Sequence, residues 1–212
     1  MNKENISTIA QSQIDFFSGE NGNQYTERNK DNLENCGATI IYNCLKIARE
    51  KNKLNTILEV GCGVGNNLSR VADMCNITGV DINNLALSEA QKKYPNGKFL
   101  NASLYELPFQ DNSFDFVFTR GVLIHIPPAD RLKALGELKR VSSQFIISIE
   151  YNVEDKNEFY EMVEWRGEKD KLWRINTPKY WEYFTDVELK EYSLIPEEYD
   201  ASKNHICIVK KI

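Results

Sequence analysis

The sequence predicts an α/β protein with a mainly parallel sheet of seven strands, a C-terminal antiparallel hairpin and helices on both faces of the sheet. Three observations predict this fold. Strand-like and helix-like segments alternate through the first two thirds of the chain. The strand-like segments are almost continuously apolar, which is typical of parallel strands covered on both faces. The last two strand-like segments follow each other too closely for a parallel crossover, which takes about a dozen residues or more.

The individual elements follow from the spacing of apolar residues. Strands are predicted over the short apolar and β-branched runs at residues 56–60, 77–82, 97–102, 113–120, 144–151, 187–195 and 205–212. Helices are predicted where apolar residues recur at helical spacing, over residues 33–50, 66–75, 83–94 and 127–141. Asn66 is a candidate cap of the second helix, Pro95 ends the third, and Pro127 and Pro128 occupy the first turn of the fourth.

We expect a single domain over residues 1–212. Residues 1–50 would form a helical lid, residues 55–150 a cofactor-binding core, and residues 187–212 the antiparallel hairpin. Segment 152–180 is charged and aromatic and interrupts the alternation. We expect this insertion to lie over the carboxyl ends of the strands, where ligands bind in such sheets.

Composition argues against several classes of protein. The 212 residues carry a formal net charge of −5, which disfavours a nucleic-acid partner held by a broad basic field. No apolar run reaches the ~18–20 residues of a membrane span, and the polar N-terminus lacks a secretory h-region. We therefore expect a cytoplasmic protein with a small-molecule substrate. The five cysteines lack C-x-x-C spacing and the histidines number two, so we expect reduced thiols and no bound metal.

Glycines at every second position follow the first predicted strand in the stretch "LEVGCGVGNNL". A dinucleotide-binding turn would have the spacing G-x-G-x-x-G, whereas Gly61, Gly63 and Gly65 are spaced G-x-G-x-G. Glu59 precedes them and would repel a pyrophosphate, but it suits the ammonium group of an amino acid. Asp81 ends the second strand, where a carboxylate can hold two ribose hydroxyls. An amino-acid end and a ribose end without a pyrophosphate describe S-adenosylmethionine.

These stretches resemble a known family. "ILEVGCGVGNN" and "GVDI" are similar to the first two motifs of class I S-adenosylmethionine-dependent methyltransferases, and "LPFQDNSFDFVFTRGVLIHI" is similar to the stretch that carries their fourth strand. The stretches "FFSGENGNQYTERN", "FTRGVLIHI" and "WRGEKDKLW" resemble the pseudaminic-acid-biosynthesis-associated methylases, small bacterial enzymes linked with surface-sugar pathways. The resemblance implies the Rossmann-like fold of class I methyltransferases, with S-adenosylhomocysteine as a product.

The resemblance also implies which residues hold the cofactor. The methionine portion would lie near Glu59, Gly61, Gly63 and Asn67, and the ribose and adenine near Asp81 and Ile82. Ser103 and Leu104 match the adenine-edge positions, although many superfamily members have Asp where Ser103 stands. The resemblance places Thr119 and Arg120 beside the methionine group, and it suggests that Tyr25 and Arg28 lie over the cofactor carboxylate.

The sequence gives fewer indications of which residues contact the substrate. His125 follows the fourth strand and is our candidate general base for a substrate hydroxyl; the alternative is a structural histidine bonded to a carbonyl. Arg166 and Lys169 belong to a basic and aromatic segment that either clamps an anionic substrate or is a solvated charged face. Glu150 and Tyr151 end the fifth strand as candidate substrate contacts, unless Glu150 caps the following turn.

We therefore predict methyl transfer to a small polar acceptor of anionic character, such as a surface-sugar, nucleotide-sugar or capsule precursor. A phosphate or carboxylate oxygen would need no base, whereas a hydroxyl benefits from one. Two other functions stay open at this point. The first is a nucleotide-dependent oxidoreductase on a related fold, and the second is a module that binds S-adenosylmethionine without catalysis. The sequence leaves the oligomeric state undetermined.

Overall fold

The structure is a computed structural model that describes residues 6–31, 36–165, 168–195 and 204–212; of Cys36, Trp165 and Glu168 it describes the backbone alone. The helices of this part of the chain are α1 (Thr8–Ser18), α2 (Glu20–Asn29), α3 (Cys36–Arg49), α4 (Asn84–Lys93), α5 (Arg131–Val141) and α6 (Thr177–Trp181). The strands are β1 (Thr56–Val60), β2 (Asn76–Asp81), β3 (Lys98–Asn101), β4 (Phe114–Arg120), β5 (Ser142–Tyr151), β6 (Tyr160–Trp165), β7 (Glu168–Ile175), β8 (Val187–Leu194) and β9 (Asn204–Lys211).

A seven-stranded sheet forms the centre of the protein, with the strand order β3-β2-β1-β4-β5-β9-β8. Strands β1 to β5 are parallel, and β9 pairs antiparallel with both β5 and β8. The predicted mixed sheet with a C-terminal antiparallel hairpin is therefore confirmed. The order reverses between β1 and β4, so their carboxyl ends open a crevice beside the glycine turn.

The strands are apolar on both faces because helices cover both sides of the sheet. On one face Leu58, Val117 and Ile146 pack with residues of α5. On the other face Ile57, Phe116 and Ile147 pack with residues of α3. Neighbouring residues of a strand point to opposite faces, so two buried faces require apolar side chains at successive positions.

One predicted helix does not form. Residues 66–75 contain a 3₁₀ turn over Asn66–Leu68 followed by further turns. The predicted cap is also wrong, because the Asn66 side chain is engaged elsewhere: its amide donates to the carbonyl of Asn29 and accepts from Nζ of Lys93. Side chains of this type compete with helical backbone hydrogen bonds. Similarly, α5 begins at Arg131 rather than at residue 127, and a 3₁₀ turn, Pro128–Asp130, precedes it, with Pro127 as its N-cap.

The predicted insertion at residues 152–180 contains a two-stranded antiparallel sheet, β6 and β7, and the short helix α6. It is anchored on Arg131, which is fully buried. The Arg131 guanidinium donates to the carbonyl of Ile126 and to the hydroxyl of Tyr180, and it lies over the rings of Tyr160, Trp173 and Tyr180. Three aromatic rings from the insertion thus surround one cation from the core domain.

Two general features complete the description of the fold. Across the residues with described coordinates, no helix is both long enough and apolar enough to cross a membrane. The four cysteines whose side chains are described, Cys44, Cys62, Cys75 and Cys207, are free thiols.

Candidate functional site

A cleft of about 1010 Å³, including its open mouth, lies over the carboxyl ends of β1, β2 and β4. Helices α1 and α2 cover it, contributing Gln13, Phe17 and Tyr25 to its wall. The cleft brings together nine of the sequence-predicted site residues, which are Tyr25, Gly61, Gly63, Asp81, Ile82, Ser103, Leu104, Arg120 and His125. Its volume suits a ligand of nucleoside size or larger.

The glycine turn after β1 needs glycine for two different reasons. Gly61 has a φ of +73°, and a Cβ there would lie 2.3 Å from Cγ2 of Val122. Gly63 has a φ of +51°, and a Cβ there would meet no atom within 4 Å, because the residue faces the cleft. The turn therefore keeps a space beside the backbone open, which a ligand can fill.

Asp81 closes this turn from the neighbouring strand. Its Oδ2 accepts a hydrogen bond of 2.8 Å from the backbone N–H of Gly63, and its Oδ1 accepts one of 2.9 Å from that of Asn83. Burial raises the pKa of the carboxyl, although these backbone bonds oppose the shift. Each carboxylate oxygen retains a lone pair, so Asp81 can also accept from the two hydroxyls of a ribose.

Glu59 lies beneath the turn and does not line the cleft. Its side chain is fully buried, Oε1 accepts a 2.6 Å bond from the side-chain amide of Asn67, and Oε2 has no hydrogen-bond partner. Burial raises the pKa of Glu59 to about 8, opposed by Asn67 and the charge of Arg120. An unsatisfied buried carboxylate oxygen favours a cation or a donor nearby, which fits the ammonium group of an amino-acid ligand.

The raised pKa of Glu59 predicts a specific dependence of stability on pH. A carboxyl that holds its proton more tightly in the folded state stabilises the protein at low pH, and this contribution is lost as the pH rises from about 4.5 to about 8. Within that window the loss is about 1.4 kcal/mol per pH unit. We expect the melting temperature of Glu59→Gln to fall less steeply with pH, between pH 5.5 and 8, than that of the unmodified protein. An unchanged slope in the variant would contradict the assignment.

A group of polar side chains surrounds the open end of the cleft near β4. The pKa of Tyr25 is raised by burial and by the nearby Tyr151, while Arg120 and Arg28 oppose the shift. Arg28 also lies 6.0 Å from the centre of the Tyr25 ring. These contacts bring four sequence-predicted positions, Tyr25, Arg28, Arg120 and Tyr151, to one corner. Two guanidinium groups in that corner are suited to a carboxylate.

The opposite end of the cleft is lined by Ile82, Ser103 and Leu104. Sequence reasoning missed a neighbouring residue, Asn83. Its side chain caps α4 by accepting from the N–H of Ala86, and it donates to the carbonyl of Phe17 in the lid. An Asn at the start of the predicted helix 83–94 was a visible signal for the cap, but its bond to α1 spans 66 residues and had no local signal.

His125 lies where the lid, the sheet and the insertion meet. Its Nδ1 is 2.7 Å from the carbonyl oxygen of Lys171 in β7, and its ring centre is 4.6 Å from that of Phe17 in α1. Burial lowers the pKa of His125 to about 4, so the ring is neutral at pH 7. The predicted alternative of a carbonyl-bonded histidine is thus observed for Nδ1, and the residue also lines the cleft.

Two predicted contacts point away from the cleft. Thr119 is fully buried and donates to Oε1 of Glu150. Glu150 is also buried and accepts from the backbone N–H groups of Val122 and Ile124. The interpretation of Glu150 as a substrate contact is therefore corrected: it caps the turn over Leu123–His125, which follows β4, and not the turn after its own strand that the alternative named. Burial raises its pKa to about 7, opposed by these backbone donors.

The charged segment of the insertion is only partly described. Arg166 lies outside the described residues, and Lys169 is exposed and does not line the cleft. Arg174 pairs with Glu154 at 2.7 Å and with Glu161 at 3.1 Å, which leaves its charge locally balanced. Nζ of Lys171 donates to the Ser12 hydroxyl, tying the insertion to the lid. Within the described ranges, no group of three or more His, Cys, Asp or Glu residues could hold a metal ion.

Residues 57–144, which contain the glycine turn, Asp81 and His125, match the family model described as a methyltransferase domain. The central part of this chain is therefore similar to a methyltransferase domain. An uncharacterised methyltransferase of Schizosaccharomyces pombe is 36% identical over 104 residues, 42% of this chain and 37% of the relative. The O-methyltransferase rstn1 of Aspergillus nomiae is 36% identical over 93 residues, 40% of each chain. The chain thus spans about two fifths of the length of these curated relatives.

Solved structures extend the similarity of the methyltransferase domain to the whole fold. The magnesium protoporphyrin IX methyltransferase of Synechocystis, solved with bound S-adenosylmethionine, superposes with a TM-score of 0.69 over 100% of both chains at 15% identity. The seven-stranded mixed sheet therefore has the Rossmann-like fold of class I methyltransferases. The predicted fold class is confirmed by the strand order and by this likeness.

Proposed function

We propose that this chain is an S-adenosylmethionine-dependent methyltransferase that acts on a small polar acceptor. The observation that carries the proposal is the space beside Gly63, which Asp81 borders and which no Cβ occupies. Glycine at this position leaves the backbone beside Asp81 accessible to a ligand that approaches closely. The matched methyltransferase domain and the cofactor in the Synechocystis structure support the same proposal.

Within this proposal, the residues of the chain have distinct positions along the cofactor. Asp81 accepts from the ribose hydroxyls, and the backbone of Gly61 and Gly63 permits close approach. The adenine would lie among Ile82, Ser103 and Leu104. The remaining predicted contacts would hold the methionine end: Arg120, Tyr25 and Arg28 would lie near its carboxylate, and Glu59, held by Asn67, would accept a hydrogen bond from its ammonium.

The bound cofactor supplies a methyl group already activated on a sulfonium. The protein contributes alignment and the exclusion of water, and alignment alone supplies several kcal/mol of the reduction in the barrier. Helices α1 and α2 cover the cleft, and Lys171 and Asp170 of the insertion bind Ser12 and Gln13 of α1. His125 is the proposed base for a protonated acceptor. Because the pKa of His125 is about 4, its ring is neutral near pH 7 and able to accept a proton.

The acceptor class predicted from the sequence remains part of the proposal. The resemblance to pseudaminic-acid-biosynthesis-associated methylases favours a surface-sugar, nucleotide-sugar or capsule precursor. The predicted anionic clamp would involve Arg166 and Lys169, and the exposed position of Lys169 restricts that role to a part of the acceptor outside the cleft.

The proposed function predicts selective binding of one nucleoside cofactor. We expect calorimetric titration to show micromolar or tighter binding of S-adenosylhomocysteine, because Asp81 and the glycine turn fit a ribose without a pyrophosphate. NADH, titrated side by side, should bind at least about 100-fold more weakly, equivalent to about 2.7 kcal/mol. Preferential binding of NADH would instead favour an oxidoreductase, and binding of neither ligand would contradict both functions.

A further inference from the structure

Asn83 connects the end of β2 to the helices that cover the cleft. The residue is 4% exposed and lines the cleft two positions after Asp81. Its backbone N–H donates to Oδ1 of Asp81 at 2.9 Å, and its side-chain oxygen accepts from the N–H of Ala86 at 2.9 Å. Both bonds lie within one strand-to-helix turn. They keep the carboxylate of Asp81 in place and cap the start of α4.

The amide nitrogen of Asn83 makes two further bonds, both to the covering helices. Nδ2 donates to the carbonyl of Phe17 at 3.1 Å and to Oδ1 of Asn23 at 3.0 Å. The Phe17 carbonyl lies in the last turn of α1, where helix carbonyls lack an intrahelical donor. The amide has one orientation, because its oxygen must face an N–H and its nitrogen a carbonyl. One buried side chain thus bonds α1, α2 and α4.

Helix α2 approaches Asn83 closely because its third residue is glycine. A Cβ at Gly22 would lie 1.7 Å from the carbonyl oxygen of Phe17 and 2.8 Å from Nδ2 of Asn83. Gly22 and Phe17 also line the cleft that Asp81 borders. We call residues 17–29 the ribose lid, since they cover this part of the cleft. The stretch "FFSGENGNQYTERN" therefore supplies a carbonyl, a glycine and an amide oxygen around one nitrogen atom.

A cofactor held by Asp81 would lie beneath the ribose lid, so its exchange requires the lid to move away from Asn83. At the far end of α2 the carbonyl of Asn29 accepts from the side chain of Asn66. The two bonds from Asn83 hold the opposite end of the lid, beside Asp81. Lids of this kind control the entry of ligands and the release of products in many enzymes.

We propose that Asn83 is a positioning residue that fastens the ribose lid and sets the rate at which S-adenosylmethionine enters and S-adenosylhomocysteine leaves. This inference rests on the proposed function and adds a residue to it. The two lid bonds do not involve the cofactor, so they must break for exchange whether or not the cleft is filled. Their loss should raise the association and dissociation rates by the same factor and leave the affinity unchanged.

Asn83→Ser separates fastening from capping. Serine is as good a helix cap as asparagine and keeps the backbone N–H toward Asp81, but it lacks the amide nitrogen. Surface plasmon resonance with S-adenosylhomocysteine, on the full chain immobilised by its C-terminus, should show both rate constants raised about tenfold. That change corresponds to about 1.4 kcal/mol, within the net worth of two neutral hydrogen bonds. The dissociation constant should stay within about twofold.

The matched control is Asn176→Ser. Asn176 is also buried and its Nδ2 also makes two bonds, to the carbonyls of Lys156 and Glu158, but it lies in the insertion and does not line the cleft. This variant should leave both rate constants within about twofold. Melting curves of the two variants measure the loss of stability. Equal changes in the rate constants of both variants would show a general loss of structure and would contradict the fastening role.

Asn23→Ala tests the same contact from the side of the lid. It removes one of the two acceptors of Asn83, so both rate constants should rise about threefold. Adding this substitution to Asn83→Ser should change the rates no further, because the bond between the two residues can be lost only once. Effects that multiply in the double variant would show that the two residues act independently, which contradicts the inference.

Hydrogen exchange of the protein without ligand tests the fastening directly. The amides of α2 should exchange about tenfold faster in Asn83→Ser, whereas those of β1 and β4 should keep their rates. Unchanged exchange in α2 would overturn the inference. A weaker affinity at an unchanged association rate would also overturn it, since Asn83 would then act on the cofactor rather than on the lid.

The unmodified protein distinguishes a failure of this inference from a failure of the proposed function. If it binds no S-adenosylhomocysteine, the proposed function is contradicted, and with it the inference. If it binds this ligand with the same rate constants as Asn83→Ser, the inference alone is contradicted.

Discussion

Gly61→Ala is expected to destabilise the protein by about 2–5 kcal/mol. An alanine at the observed φ of +73° costs about 1–2 kcal/mol in the left-handed region. Its Cβ would also lie 2.3 Å from Cγ2 of Val122, and overpacking of that kind costs about 1–3 kcal/mol. For a domain of this size the sum lowers the melting temperature by roughly 10 °C, measurable by calorimetry or circular dichroism.

Two further variants separate the causes of that loss. Val122→Ala in the Gly61→Ala background removes the methyl group that the new Cβ would meet, so it should recover the overpacking part and leave the backbone strain. Gly136→Ala is the matched control, since that glycine lies in α5 and its Cβ would meet no atom within 4 Å. It should stabilise the protein by about 0.5–1 kcal/mol. A melting temperature for Gly61→Ala equal to that of the unmodified protein would show that the turn differs from the one described.

Asp81→Ala is expected to reduce the affinity for S-adenosylhomocysteine by about 100-fold or more. The carboxylate would lose two charge-assisted bonds to the ribose hydroxyls, each worth about 1.5–3 kcal/mol. It would also lose its bonds to the N–H groups of Gly63 and Asn83, which hold the turn and the start of α4 in place. Calorimetric titration measures the affinity, and a melting curve of the same sample measures how much of the effect is structural.

Asp111→Ala is the control for removing a carboxylate. Its side chain is 72% exposed and pairs with Arg140 at 3.0 Å, and neither residue lines the cleft. Exposed pairs of this kind contribute at most about 1 kcal/mol to stability, and the variant should bind S-adenosylhomocysteine like the unmodified protein. If Asp81→Ala bound that ligand within twofold of the control, Asp81 would have no part in holding the ribose.

The glycine turn and the carboxylate beside it were largely predictable because their signals are local in the chain. Apolar runs specified the parallel strands, and alternating glycines after β1 indicated a turn that only residues of positive φ can form. Asp81 was predicted from its place at the end of a strand. In a parallel sheet the carboxyl ends of neighbouring strands lie side by side, so their proximity follows from the strand prediction. Val60 pairs with Val80 and with Thr119.

Helix 66–75 was predicted and does not form, for a reason that the pattern could not reveal. Apolar spacing in that segment is helical, but Asn66 and Asn67 use their side chains on partners outside the segment, Asn29, Lys93 and Glu59. Glu150 was misjudged for a similar reason. A carboxylate at a strand end can face a ligand or cap a turn, and the choice depends on the N–H groups of Val122 and Ile124 that fold back over it.

By itself the sequence determined the fold class, the glycine turn and the carboxylate opposite it, because turn conformation and strand burial depend on neighbouring residues. The tertiary structure alone decided how the N-terminal helices and the insertion meet at the cleft. Gln13 meets the carbonyl of Asp170 across 157 residues of chain, and His125 meets that of Lys171 across 46. Hydrogen bonds between such distant segments leave no periodic trace in the sequence, since they depend on how the lid and the insertion pack over the sheet.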